Sequence, residues 1–256
     1  MSETSDAAVG QPAGAALGSA SAASGDSANI GEMVETRKRY HEELHQLTVD
    51  TVRLAAMAAE QIAAGTEALL SSDLAGAERV INEDKHIDDL FHAIEENAYF
   101  VLARQSPMAS ELRTVIAILR VIHEVERCGD LMVNVAKATR RLYPYGLDPK
   151  VRGLLQRMGE QAGAQLRLAV VAFDDGDVVK AAAVEDMDDV MDDLTKALFR
   201  TIFAVGAADE TELQRAVQIA LVGRYYERIA DHAVNVSQRV HFIVTGTLAD
   251  HEGGGP

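Results

Sequence analysis

The sequence predicts an all-α protein made of two tandem, pseudo-symmetric three-helix bundles. Apolar residues recur three and four positions apart over most of the chain, which is the period of a helix with one buried face. Only five prolines occur in 256 residues, so long stretches contain no helix-breaking residue. The order of motifs in the first half recurs about a hundred residues later, which indicates a duplicated unit.

Three helices are predicted in the first half. Helix 1 is predicted over residues 33–64 and is expected to stop at Gly65, because glycine often ends a helix. Helix 2 is predicted over residues 73–104, whose first residue is a capping aspartate. Helix 3 begins after Ser106-Pro107, a cap followed by proline at the first helical position, and continues to about Tyr143.

The second half repeats this plan after a clear break. The break is the segment YPYGLDP, residues 143–149, which contains two prolines and a glycine. Helices 4, 5 and 6 are predicted over residues 149–173, 178–205 and 210–245. They are separated by the turn segments DDGD and GAAD.

The two halves can be aligned residue by residue. A shift of 101 places ERCGDLMVN, which begins at Glu126, on ERIADHAVN, which begins at Glu227, and a shift of 104 places HIDDL at 86–90 on VMDDL at 190–194. A change in loop length explains the small difference. Both ends of the chain are poor in large apolar residues and are expected to be disordered. The predicted parts are an N-terminal tail at 1–30, a first repeat at 31–145, a second repeat at 146–245 and a flexible C-terminal tail at 246–256.

Four pairs of acidic residues, each four positions apart, are expected near the inner faces of the helices. Side chains at this spacing lie next to each other on a helix. Glu126 shares a stripe with Leu119 and Ile122, which places its pair beside the core. The pairs are Asp84/Asp88 and Glu126/Asp130 in the first repeat, and Asp188/Asp192 and Glu227/Asp231 in the second.

Carboxylates held away from water need protonation, a basic partner or a cation. Arg127 and Arg228 directly follow the two glutamates but are expected to point about 100° away from them. Oxygen donors favour Mg²⁺, Ca²⁺ or Mn²⁺, and carboxylates also hold iron. Asn134 and Asn235 are expected to supply neutral ligands or supporting hydrogen bonds. The sequence therefore predicts a metal site in each repeat; the alternative is that the pairs lie on solvated helix faces.

Composition narrows the function further. The formal charge is −16, and the tails contain five acidic and no basic residues, so −11 belongs to residues 31–245. Such a charge opposes binding to nucleic-acid phosphates. The single cysteine, Cys128, allows no internal disulfide and is expected to be packed in the core. The chain shows no span of about 20 apolar residues and no secretory signal, which predicts a cytoplasmic protein.

The motifs resemble those of the PhoU family, accessory regulators of phosphate uptake in bacteria. The resemblance covers about residues 33–245 and rests on LARQSPMASELR, ERCGDLMVNVAK, ERIADHAVNV and the paired acidic motifs. It implies two similar three-helix bundles that bind metal ions, with iron, zinc, manganese and magnesium as the candidates. The ligands that it implies are Asp84, Asp88, Glu126, Asp130, Asp188, Asp192, Glu227 and Asp231.

The resemblance also implies a regulatory function without enzymatic activity. Members of the family repress the phosphate-starvation response when phosphate is plentiful. They are thought to bridge the ATPase subunit of the phosphate ABC transporter and a membrane sensor histidine kinase. The sequence leaves open a homodimer and, as an alternative function, a metal-dependent all-α nucleotide phosphohydrolase, although that class typically spaces its carboxylates three apart. A ferritin-like oxidoreductase is a third alternative.

Overall fold

The computed structural model describes residues 23–104, 109–205 and 209–247. All regular elements in these residues are α-helices, which confirms the predicted fold class. The helices are α1 (Ala23–Ser71), α2 (Leu74–Arg104), α3 (Ala109–Leu142), α4 (Pro149–Asp175), α5 (Val178–Val205) and α6 (Glu210–Thr245). The predictions made for residues 1–22 and 248–256, and for the Ser106-Pro107 cap, lie outside the described residues.

Helix α1 is longer than the sequence predicted. It begins at Ala23, so residues 23–30 are helical rather than part of a tail. At its other end it passes through Gly65 and continues to Ser71. A Cβ atom on Gly65 would overlap the Cε of Met132. Gly65 therefore allows α1 to approach α3 closely and does not end the helix.

Aspartates cap the helices whose starts were predicted closely. The Oδ1 of Asp73 accepts a hydrogen bond from the Ala75 amide at 3.0 Å at the start of α2. Asp148 caps α4, and Asp209 caps α6. Asp177 accepts from the Val179 amide at the start of α5. A side-chain oxygen satisfies backbone amides that have no partner within the helix, which is why these starts can be read from sequence.

The chain divides into two units, residues 1–41 and 42–256. The described part of the first unit, residues 23–41, is the first section of α1. The second unit contains the rest of α1 together with α2–α6 and holds all the candidate site residues.

Within the second unit, α3 and α6 are the central helices. Helix α3 packs against α2 and α6, and α6 also packs against α4 and α5. Helix α1 contacts α6 through Thr66, whose Oγ1 lies 2.8 Å from the Tyr226 hydroxyl. Fully buried side chains of the two cores include Leu54, Ile94 and Ile118 in the first repeat and Leu155, Met191 and Ile229 in the second.

The contact between α3 and α6 relates equivalent positions of the two repeats. Cys128 corresponds to Ile229, and the Cys128 Sγ lies 3.9 Å from the Ile229 carbonyl oxygen. Burial raises the pKa of the Cys128 thiol. The cysteine is therefore a packed core residue, as the sequence predicted. Among the described residues, none of the helices carries an apolar stretch of the length that crossing a membrane requires.

Candidate metal centre

The first acidic group lies between α2 and α3. Burial, followed by the negative charges of Asp88 and Asp130, raises the pKa of Asp84, although a hydrogen bond from Gln61 opposes the shift. Burial and the charges of Asp130 and Asp88 likewise raise the pKa of Glu126. Because each charge acts on the others, the structure brings together the four carboxylates that the sequence predicted for this repeat.

A glutamine from α1, which the sequence patterns did not indicate, completes the first group. The Nε2 of Gln61 donates to the Oδ1 of Asp84 at 2.9 Å. The residue is only 6% exposed, and its Oε1 is buried without a hydrogen-bond partner. A Cβ atom on Gly129 would lie 3.0 Å from the Asp84 Oδ1 and 3.2 Å from the Gln61 Oε1. The absence of a side chain at Gly129 thus makes room for both oxygens beside α3.

Arg127 does not point away from the acidic group, which corrects the sequence prediction. Its Nη1 donates to the Asp130 Oδ2 at 3.0 Å, and its Nε lies 3.6 Å from the Glu126 Oε2. The long arginine side chain bends back across the helix surface, so the angle between Cα positions does not limit its reach. Arg127 therefore supplies part of the positive charge that the first group needs.

The second acidic group repeats the first between α5 and α6. Burial raises the pKa of Asp188, as do the charges of Asp192 and Glu227, against a hydrogen bond from Gln165. Partial burial of its carboxyl group and the charge of Asp188 raise the pKa of Asp231. The four carboxylates predicted for the second repeat are therefore also neighbours.

Gln165 of α4 occupies the place that Gln61 occupies in the first group. Its Nε2 lies 3.3 Å from the Asp188 Oδ1, and its Oε1 is buried without a hydrogen-bond partner. Gln61 precedes Asp84 by 23 residues, and Gln165 precedes Asp188 by 23 residues. Extending the 104-residue shift to the first helix of each repeat would have revealed this pair from the sequence.

The two predicted asparagines have different surroundings. The Nδ2 of Asn235 donates to the Glu124 Oε2 at 3.1 Å, so its amide nitrogen faces α3. Glu124 also accepts a bond from His232 Nδ1 at 2.7 Å, and the two hydrogen bonds lower the pKa of Glu124 in spite of its burial. Asn134 is partly buried one turn after Asp130. The bond between His232 and Glu124 joins two helices 108 residues apart in the chain, and no local sequence pattern indicates it.

The oxygen atoms of the two acidic groups are the kind of ligand that a hard cation prefers. Each group combines several carboxylates with a buried amide oxygen that lacks a hydrogen bond, and such oxygens suit Mg²⁺ or Mn²⁺. Within the described residues, no three His, Cys, Asp or Glu side chains are arranged as a metal-binding group. The assignment of the eight carboxylates and two asparagines as metal ligands therefore stays a prediction.

The fold and the two groups define a class: an all-helical protein of two repeated domains, each with paired carboxylates beside a buried glutamine. Comparison with known families identifies this class more closely. Two segments of the chain, residues 51–139 and 155–240, match the PhoU domain. The chain belongs to the PhoU family, which confirms the resemblance seen in its motifs.

Individual relatives agree with this membership over nearly their whole length. The Mycobacterium tuberculosis protein named phosphate-specific transport system accessory protein PhoU homolog 2 is 36% identical over 213 residues, which cover 83% of this chain and 99% of that protein. The crystal structure of PhoU from Pseudomonas aeruginosa matches with a TM-score of 0.77 at 28% identity and covers 81% of this chain and 100% of that one.

A second solved structure gives the same result. The phosphate transport system regulatory protein PhoU from Streptococcus pneumoniae matches with a TM-score of 0.76 at 30% identity, covering 82% of this chain and 99% of that chain. These relatives are named as accessory or regulatory proteins. Membership of this family confirms the prediction that the chain is not an enzyme.

Proposed function

We propose that the protein is a cytoplasmic negative regulator of phosphate uptake and of the phosphate-starvation response. The observation that carries this proposal is the match of both repeats to PhoU domains, with accessory and regulatory proteins of phosphate transport aligned along almost their entire length. The long helices offer extended surfaces for other proteins, which suits an adaptor.

The partners that fit this function are the ATPase subunit of the phosphate ABC transporter and a sensor histidine kinase. Relatives are named as accessory proteins of a phosphate-specific transport system, which supports an association with the transporter. The kinase is the second partner that the resemblance to the PhoU family implies. In this arrangement the chain transmits the state of the transporter to the kinase.

A deletion experiment tests the regulatory function. A strain without this chain is expected to express a phosphate-starvation reporter in abundant phosphate, and the wild-type gene supplied in trans should restore repression. Normal repression in the deletion strain, with any second PhoU homologue also deleted, would contradict the proposal. Affinity purification with the tagged chain from phosphate-replete cells should recover the transporter ATPase or the kinase.

We further propose that each acidic group binds a divalent or trivalent cation. The buried Oε1 atoms of Gln61 and Gln165 support this proposal, because a bound cation would give each of them the partner that it otherwise lacks. Bound cations supply positive charge that stabilises the clustered carboxylates. Iron, zinc, manganese and magnesium are the candidate ions, and manganese and magnesium suit the all-oxygen donor set best.

Metal binding is tested by equilibrium dialysis with Mn²⁺ followed by elemental analysis. Asp130→Ala and Asp231→Ala should each lower the bound metal, and the double variant should lose most of it, while circular dichroism shows an unchanged helix content. The matched control is Glu96→Ala with Glu185→Ala, because both glutamates are exposed and lie outside the two groups. Equal metal content in the double variant and the control would refute the site.

A further inference from the structure

Six arginines form a row on the surface where α3 and α6 meet. We call this row the arginine seam, and it consists of Arg113, Arg120 and Arg127 on α3 and Arg224, Arg228 and Arg239 on α6. The α3 members are seven residues apart, which is about two helical turns and keeps them on one side of the helix. The spacings on α6, of four and eleven residues, have the same effect.

The contacts between α3 and α6 place the two sets of arginines side by side. The Nη1 of Arg113 lies 3.6 Å from the position of a Cβ on Gly246. Glu124 accepts from Asn235, and Arg141 donates to Gln218. Residue numbers fall along α6 as they rise along α3, so the helices are antiparallel. In this register the seam extends over about 20 residues of helix, or roughly 30 Å.

Within the described part of the chain, most of the arginines in the seam form no direct ion pair. Arg127 is paired with Asp130, and Arg224 is paired with Glu227. The other four arginines form no ion pair with any residue that the structure describes; they are Arg113, Arg120, Arg228 and Arg239.

Two of these arginines also have buried nitrogens without acceptors. The Nε atoms of Arg113 and Arg239 are inaccessible to solvent and have no hydrogen-bond partner. The neighbouring carboxylate is Glu124, and it is already bonded to His232 and Asn235. Burial and the adjacent charge of Arg120 lower the pKa of Arg239. An incoming carboxylate that bonds the outer guanidinium nitrogens would relieve the repulsion between Arg120 and Arg239.

An exposed apolar stripe extends the seam along α6. Leu213, Val217 and Leu221 follow one another at intervals of four residues, ending one turn before Arg224. They are 55%, 49% and 38% exposed, so the stripe presents apolar side chains to solvent. Exposed apolar side chains next to arginines are typical of the central part of a protein–protein interface.

The combination of length, charge and apolar surface selects one kind of ligand. A free anion such as inorganic phosphate would occupy one pair of arginines and leave most of the 30 Å seam unused. A nucleic acid or an anionic membrane would bring extensive negative charge against the rest of an acidic protein. A helix with apolar residues at one end and carboxylates along the remainder matches both parts of the surface.

We propose that the arginine seam and its apolar stripe bind an acidic amphipathic helix of a partner protein. Carboxylates of that helix would pair with Arg120, Arg228 and Arg239, and its apolar end would cover Val217 and Leu221. The proposal requires neither bound metal nor a function in phosphate regulation, so it stands or falls independently of both.

The test uses two synthetic helical peptides of about 25 residues, long enough to reach from Val217 to Arg239. One carries leucines at one end and glutamates along one face, and the other has lysine in place of every glutamate. Fluorescence anisotropy at physiological salt should show binding of the acidic peptide that weakens as salt rises. The lysine peptide is expected to bind at least tenfold more weakly.

Substitutions in the arginine seam and the apolar stripe test whether the acidic peptide binds to this surface. Arg120→Glu with Arg228→Glu, both at exposed positions, should weaken binding at least tenfold, and Arg239→Gln should weaken it severalfold. The matched control is Arg157→Glu with Arg200→Glu, two exposed arginines away from the seam. Val217→Ser with Leu221→Ser should also weaken binding, whereas Val190→Ser, which changes an exposed valine of α5, should not.

Several results would overturn the proposal. Equal binding of the acidic and lysine peptides would show that charge complementarity is not responsible. Unchanged affinity in the Arg120→Glu/Arg228→Glu variant, with a native circular dichroism spectrum, would place the binding elsewhere. Tighter binding at the seam of a single-stranded oligonucleotide or of phosphatidylglycerol vesicles than of the acidic peptide would assign the surface to another class of ligand.

Discussion

The two acidic groups consist of equivalent residues but differ in which basic side chains balance their negative charge. Each joins a glutamine, two aspartates from one helix and a Glu/Asp pair from the next. In the first group Arg127 contacts both Glu126 and Asp130, whereas in the second group Arg224 contacts Glu227. Arg127 has its counterpart in Arg228, but the residue equivalent to Arg224 in the first repeat is His123, so the arginine that contacts the acidic group is not the same one in the two repeats.

The groups also differ in how far they are enclosed. Every carboxylate of the first group is at least partly buried, whereas Asp192 of the second group is exposed. The glutamine bond is 2.9 Å long in the first group and 3.3 Å in the second. The two repeats therefore share the positions of the carboxylates and of the glutamine, while the contacts made by the arginines and the degree of enclosure differ.

The largest expected effect comes from filling the space at Gly129, where the first group is most tightly packed. Gly129→Leu should lower the free energy of unfolding by about 3 kcal/mol, because the new side chain would displace Asp84 and Gln61. Urea denaturation monitored by circular dichroism measures the change. The matched control is Gly153→Leu, since a Cβ there meets no atom within 4 Å. Equal destabilisation by both changes would contradict the tight packing at Gly129.

The next effect concerns the buried glutamines. Gln61→Leu should weaken Mn²⁺ binding at the first group about tenfold, because it removes a buried oxygen beside the carboxylates. Gln165→Leu should have a smaller effect, since the second group is more exposed. Isothermal titration calorimetry measures the affinity of each group separately when the carboxylates of the other group have been replaced by alanine. Gln156→Leu on the exposed side of α4 is the control, and an equal change in that variant would rule out a role for Gln61.

A smaller effect on stability is expected from replacing the arginines that contact the two acidic groups. In EDTA, Arg127→Gln should destabilise the protein by about 0.5–1 kcal/mol, because two carboxylates lose a partly exposed partner. Arg224→Gln should cost less, since it contacts one carboxylate. Mn²⁺ affinity should change in the opposite direction and rise at the first group, because a competing positive charge is removed. Weaker Mn²⁺ binding in Arg127→Gln would mean that the arginine supports the site.

The sequence could predict most of the fold because its signals are local. The apolar period and the capping aspartates Asp73, Asp148 and Asp209 define α2, α4 and α6 without reference to distant residues. Gly65 misled the prediction for α1 because its function depends on Met132 of another helix. Long-range packing of this kind leaves no mark in the local pattern.

The candidate site could be predicted only in part for the same reason. Acidic pairs four residues apart on one helix can be recognised in the sequence, so the eight carboxylates of the two acidic groups could be predicted. Gln61 and Gln165 were missed because each acts on a helix 23 residues further along the chain. The reach of Arg127 was missed because a flexible side chain is not bound by helix geometry. The hydrogen bonds between Glu124, His232 and Asn235 depend on the packing of α3 against α6.

The smallest expected effect is on the pH dependence of the free energy of unfolding in the metal-free protein, which should differ between the two groups. The pKa values of Asp84 and Asp188 are raised by burial and by neighbouring carboxylates. A carboxyl group with a raised pKa in the folded state binds its proton more tightly there than in the unfolded chain. Its stabilising contribution is therefore complete below the unfolded-state pKa of about 4 and is lost as the pH rises through the folded-state value.

We compare the free energy of unfolding of Asp84→Asn with that of the wild type in EDTA. This difference should favour the variant more at pH 7 than at pH 4, by a few tenths of a kcal/mol. Asparagine keeps an oxygen that can accept the Gln61 bond, so the change removes charge without removing that contact. Asp188→Asn should show the same sign with a smaller amplitude, because exposed members of the second group are better screened. Urea titrations at pH 4, 5, 6 and 7 measure both slopes. An Asp84→Asn variant that loses stability at pH 7 relative to pH 4 would show that its carboxylate is compensated in the folded protein.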